Sequence, residues 1–223
     1  MEAGILGGTG AMLLVKAWQG VLVFYLHPRY APLVVACGIA LLLAAPPRLR
    51  RTFGRAEPLR GRGAGYLLVA LPLILGLLVP ARPLGAAALT EGPAPLTAAG
   101  GSAAALGDDT RAWNLYQWAT ALSTGKGGTQ GGPADVVGFV YHNPARPLDG
   151  FYAVRYVIVH CAADSRAVGL PVVWSGGAAL PADGWVRVRG VLGTATIEGK
   201  PVPAILAGTV DPVPQPINPY LYR

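Results

Sequence analysis

The sequence predicts a membrane protein in two parts: an N-terminal α-helical transmembrane anchor and a C-terminal small β-barrel domain, OB-like in type. Three observations carry this. Apolar runs fill the chain before Pro83, an arginine cluster separates two of them, and after Pro133 the apolar pattern changes from helical to alternating. Apolar residues make up 52% and charged residues 13%, about half the usual charged share. Because that deficit is concentrated before Pro83, it points to a membrane segment joined to a water-facing one.

The anchor, residues 1–82, contains three apolar runs, at about 5–26, 31–46 and 65–81. A helix rising about 1.5 Å per residue needs roughly twenty residues to cross a hydrocarbon core of about 30 Å. The first run meets that length, with Lys16 in its middle. The second has prolines at both ends and the third carries Pro72, so each is short. Their close succession and the arginines between them support the membrane reading. A cleavable signal peptide fits poorly, since Lys16 breaks the apolar region and no basic segment precedes it.

The net charge of +7 is a topology signal. Segment 47–64 holds Arg48, Arg50, Arg51, Arg55, Arg60 and Arg62 against Glu57, whereas from Pro83 onward nine basic residues balance nine acidic ones. Arginine-rich short loops stay in the cytoplasm. The expected protein is therefore multi-pass in the cell membrane, with a cytoplasmic N-terminus and an extracytoplasmic C-terminal domain. A neutral domain lacks the basic footprint of a nucleic-acid binder, so nucleic acid is excluded as a partner.

Residues 83–107 are Ala, Gly, Pro, Leu and Thr without periodicity, and read as a flexible linker. The folded domain is expected over 108–223. Asp108 and Asp109 mark the start of a helix that carries Trp113, Trp118 and Leu122 and ends in the glycines of 125–132. Strands are predicted at Asp135–Tyr141, Phe151–Val159, Val168–Trp174, Trp185–Leu192 and Pro203–Val210, with turns at Gly176-Gly177, Asp183-Gly184 and Glu198-Gly199. Five short strands and one small helix suit a Greek-key barrel. A β-sandwich fragment is the alternative.

The densest set of chemically capable side chains is His160, Cys161 and Asp164, directly after the strongest strand. All three types ligate metals, and His with Cys favours zinc or copper. A continuing strand would send residues 160 and 161 to opposite faces, whereas a turn would place Cys161 and Asp164 together. The competing reading is a buried free cysteine at a strand end with an aspartate capping the next turn. His142 is the available additional ligand. No nucleophile motif or phosphate-binding loop is present. Gly125-Lys126-Gly127-Gly128-Thr129 lacks a preceding apolar strand and a following helix. The chain is read as not an enzyme. In the anchor, Lys16 and His27 mark a membrane or partner site, with snorkelling and a helix-end position as the respective alternatives.

Several motifs stand in order along the chain: Tyr25-Leu26-His27-Pro28-Arg29 in the anchor, then Gly138-Phe139-Val140-Tyr141 and the run from Arg155 to Asp164. They continue through Gly169-Leu170-Pro171-Val172, the run from Gly184 to Gly190, and Pro219-Tyr220-Leu221-Tyr222. In these residues the sequence resembles the YcgQ-like bacterial permease-subunit family. The resemblance implies short N-terminal spans, a C-terminal β domain, a large multi-span permease as partner and a link to metal homeostasis. One departure stands out: the family usually has two adjacent cysteines where this chain has His160-Cys161, which removes a vicinal-dithiol role. The expectation is an accessory subunit of a membrane permease complex that contacts membrane lipid and binds a small ligand or divalent metal, such as zinc. The alternative is a structural or gating subunit that binds nothing itself.

Overall fold

A computed structural model describes residues 2–53, 63–89, 107, 109–125 and 130–222. The chain divides into two compact units, Met1–Pro83 and Leu84–Arg223.

The first unit is helical: α1 (Glu2–Trp18), α2 (Ala31–Phe53) and α3 (Gly63–Leu78, with Pro72 inside). The first predicted span, 5–26, is not one continuous helix. Helix α1 ends at Trp18 because Gly20 takes the left-handed conformation, φ 70°, and its N–H bonds back to the Ala17 carbonyl. The chain then makes two 3₁₀ turns, Val21–Phe24 and Pro28–Tyr30. The second span runs past its predicted end, through Pro46 and Pro47 to Phe53. It takes in Arg48, Arg50 and Arg51, which the sequence reading assigns to a loop. Leucine and arginine are good helix formers, and cations suit the C-terminal end of a helix. Arg55, Arg60 and Arg62 lie outside the described residues.

These helices meet through glycine. A methyl group on Gly10 would lie 2.7 Å from the Gly38 carbonyl oxygen, and one on Gly38 would lie 3.0 Å from the Leu14 side chain. Only glycine permits that backbone approach, the packing device common between membrane helices. A methyl on Gly76 would meet Met12 Sδ at 2.7 Å. Among the described residues one helix, α2, is long and apolar enough over Pro28–Ala45 to cross a membrane, by length and composition. Helix α1 is apolar but shorter over Gly4–Trp18.

Among the described residues, the second unit is a five-stranded β-barrel with one α-helix, α4 (Leu115–Ser123), and a short sixth strand. The strands are β1 (Pro133–Tyr141), β2 (Gly150–Ile158), β3 (Arg166–Val173), β4 (Trp185–Ile197), β5 (Lys200–Pro212) and β6 (Leu221–Tyr222). Their order is β1-β4-β5-β3-β2, closed by β2 returning to β1, with β3 and β5 parallel. All five predicted strands are present, and β4 and β5 run beyond their predicted ends. Glu198 and Gly199, at φ 53° and 74°, form the two-residue turn between them. Both positive angles match the right-handed twist of a hairpin. Strand β4 pairs with β1 over Trp185–Val191 and with β5 along its length, with a bulge in the β4–β5 register between Arg189 and Gly190.

Helix α4 starts later than predicted. Asp109 caps only the 3₁₀ turn Thr110–Ala112. The helix begins at Asn114, whose side chain accepts from Gln117 N–H while the Gln117 side chain accepts from Asn114 N–H. This reciprocal cap satisfies two donors that a helix start otherwise leaves open. It directs Leu115, Trp118, Ala119 and Ala121 into one core with Val136, Phe151, Leu170, Val188 and Ile205. A second core, rich in tyrosine, lies on the other face of β1 and β2.

Candidate functional site

Strand β2 ends at Ile158, and a 3₁₀ turn follows at Ala162–Asp164. The turn required for the predicted His160, Cys161 and Asp164 site is therefore present. It brings His160 and Asp164 together, with His160 Nδ1 3.1 Å from Asp164 Oδ2. The Asp164 carboxylate also accepts the N–H groups of Val159 at 3.0 Å, His160 at 2.9 Å and Cys161 at 3.2 Å. Burial alone would raise its carboxyl. The three backbone N–H groups and the His160 ring outweigh this and hold it below the usual carboxylate value.

The donor set fits a metal poorly. Both Asp164 oxygens already accept backbone N–H groups, and a cation would have to compete with them. Among the described residues, no three or more His, Cys, Asp or Glu side chains are grouped so as to hold a metal ion. His142, the proposed extra ligand, instead places Nε2 2.9 Å from the Leu180 carbonyl oxygen. The His160 side chain is 64% exposed, so the turn presents an imidazole outward over an internally satisfied aspartate.

In the helical unit, Lys16 occupies the last turn of α1 instead of the middle of a long span. A cation there is favoured by the helix dipole and lies close to the helix end. His27 caps the Pro28–Tyr30 turn, its Nδ1 accepting from Arg29 N–H at 3.1 Å. The Arg29 guanidinium lies 4.9 Å from the centre of the Tyr30 ring.

Arg155 carries no sequence signal of its role. It stands where β2 changes neighbour: Tyr152–Val154 pair with β1, whereas Val157 and Ile158 pair with β6. Its guanidinium donates to the carbonyls of Asn218 at 2.5 Å, Pro219 at 3.1 Å and Tyr220 at 3.3 Å, and lies 5.6 Å from the Trp185 ring centre. Burial pushes Arg155 down to about 10, which leaves it charged at neutral pH. Beside it, Phe139 stacks on Tyr156 and Tyr156 meets Tyr220 edge-on. Burial, then Asp183 and neighbouring tyrosines, raises Tyr156 to about 12, so its hydroxyl stays protonated and donates to the Gly85 carbonyl at 3.0 Å. The Leu84 N–H donates to the Tyr220 hydroxyl at 2.8 Å. The first described residues of the expected linker, Leu84–Leu89, are thus seated on the barrel, with Leu84, Ala86 and Leu89 against the tyrosine core. Residues 90–106 lie outside the described residues.

On the outer wall, Arg187 grips Asp135 with two bonds, 2.7 and 2.6 Å, and Arg189 bonds Asp211 at 3.0 Å. The bidentate Arg187–Asp135 pair ties β4 to β1, and the single Arg189–Asp211 bond ties β4 to β5.

Residues 112–223 match the family described as the DUF1980 C-terminal domain. The chain is also similar to "UPF0703 protein YcgQ" of Bacillus subtilis (strain 168), 26% identical over 88 residues. That match covers 39% of this chain and 31% of the relative. No solved structure matches.

Proposed function

The chain belongs to the family of the DUF1980 C-terminal domain, and from that premise we propose that it is a membrane-anchored accessory subunit of a permease complex, acting through a barrel that docks on the permease. The observation that carries the membrane part is the state of α2. Its apolar stretch Pro28–Ala45 is only 6% buried, unlike the core helix of a water-soluble protein. Leu71, Ile74, Leu77 and Leu78 of α3 are exposed as well. An anchor of three helices, with its N-terminus in the cytoplasm and the barrel outside, is supported by the arginines at the end of α2 and between α2 and α3. The permease partner comes from the resemblance of the sequence to YcgQ-like proteins.

We read the barrel as OB-like: ring order β1-β2-β3-β5-β4 with a parallel β3–β5 contact supports that class. The docking role is favoured over ligand capture because Asp164 is occupied by its own turn. Capture of a divalent metal such as zinc is the second reading, supported by the exposed His160 ring beside Cys161. It requires further ligands from the permease, since zinc normally takes four.

The test is purification of the full chain from detergent-solubilised membranes without chelator, as wild type and as Cys161→Ser, Asp164→Asn. A multi-span membrane protein should co-purify with both, at equal metal content. Loss of bound metal in the double variant would favour capture. Absence of any membrane partner from both would overturn the accessory role.

A further inference from the structure

One end of the helical unit gathers aromatic and cationic side chains. Helix α1 meets α3 at Gly8 with Leu73 and at Met12 with Gly76. The two helices therefore run parallel, and their C-terminal ends share one level. Lys16 and Trp18 lie there on α1, and Arg82 follows the end of α3. Helix α2 runs antiparallel to α1, pairing Gly7 with Ala45 and Leu14 with Gly38. By that register the end of α1 is level with the first turn of α2, and Arg29 and Tyr30, in the 3₁₀ turn that precedes α2, lie just beyond it.

The connection over 19–30 is built, not slack. It consists of two 3₁₀ turns, with Leu22 buried beneath them and His27 capping the second. From this platform Trp18 projects at 89% exposure and Tyr25 at 46%. Toward the middle of the helices the large exposed side chains are apolar, Ile39 and Leu43 on α2 and Leu71, Ile74 and Leu75 on α3. An exposed indole is costly in water and favourable where one side is apolar and the other polar. Lysine and arginine at that level can reach phosphate oxygens while their stems lie along the apolar band.

We infer that this end of the unit sits at the phospholipid headgroup layer and fixes the depth of the anchor, with Trp18 and Tyr25 in the interface and Lys16, Arg29 and Arg82 at lipid phosphates. The inference rests on the membrane reading above and adds which level of the protein meets which layer of the bilayer. Its partner is the lipid surface itself.

The test uses the full chain in vesicles of phosphatidylcholine and phosphatidylglycerol, carrying one nitroxide label at a time. The sites are the natural Cys37 on α2, the natural Cys161 on the barrel, and Gln19→Cys beside Trp18, the other cysteines being replaced by Ala or Ser. Collision rates with oxygen and with a water-soluble nickel chelate report depth. The oxygen-to-nickel ratio should be several-fold higher at 37 than at 19, and several-fold higher at 19 than at 161. A label at 19 as deep as 37, or no deeper than 161, overturns the inference while the membrane reading stands. A label at 37 no deeper than 161 overturns both. In Trp18→Ala, Tyr25→Ala the depth at 37 should shift, and an unchanged depth would remove the depth-fixing role.

Discussion

In the barrel, Trp118 and Leu170 are fully buried, whereas in the helical unit Leu43 is 71% exposed and Leu78 75% exposed. Both regions are rich in apolar residues, yet they use them in opposite ways. The barrel unit buries its large side chains in two cores, one with α4 and one on the other face of β1 and β2, and satisfies its backbone through closed strand pairing. The helical unit satisfies its backbone within each helix, places glycine at the contacts and turns large side chains outward. The difference teaches that composition alone does not say where a core lies. The barrel is organised by the hydrophobic effect in water. In the membrane setting proposed above, apolar surroundings would give the helices' large side chains no reason to turn inward.

The sharpest way to break this comparison is to truncate one side chain in each region. Trp118→Ala should destabilise the barrel by about 3–5 kcal/mol, the range for a buried aromatic. Leu43→Ala should change stability in detergent by less than about 0.5 kcal/mol. Denaturant unfolding monitored separately for each unit checks both, and a large effect of Leu43→Ala would mean that protein covers that face. A second test adds volume. Gly10→Leu increases apolar content but drives a side chain into the Gly38 backbone, so it should destabilise the helical unit by about 1–3 kcal/mol. Faster proteolysis between α1 and α2 would report it, with the barrel unaffected.

The smallest expected effect concerns the His160–Asp164 turn. Because the folded carboxyl of Asp164 is held below its unfolded value, its contribution is fully present above the unfolded value of about 3.9. It is lost as the pH falls through the lower folded value. The amide signals of Val159, His160 and Cys161 should shift together in that acid window. Asp164→Asn should abolish the shared titration and cost about 1 kcal/mol, the scale of a lost cap. Amides that titrate independently in the wild type would show that the carboxylate does not hold them.

Legibility followed the range of the interactions. The strands and the Glu198-Gly199 turn were readable because alternation and turn chemistry are local. The end of α1 was written in Gly20 but masked by the apolar residues on both sides of it. The true start of α4 was also written locally, as Asn114 with Gln117 three residues on, beside a louder pair of aspartates. At the candidate site, proximity of His160, Cys161 and Asp164 was evident from spacing. Whether Asp164 faced a ligand or its own backbone depended on the path of four residues, which spacing does not fix. Arg155 could not be found at all, since its acceptors are carbonyls of Asn218, Pro219 and Tyr220, which carry no side-chain signature.

Leu84–Leu89 is seated on the tyrosine core, and on the far side of 90–106 the chain is fixed again, where the Thr110 hydroxyl donates to the Pro133 carbonyl at 2.7 Å. Both fixed points belong to the barrel unit, Leu84–Arg223. A sequence that separates Leu84–Leu89 from the barrel discards a piece of its wall.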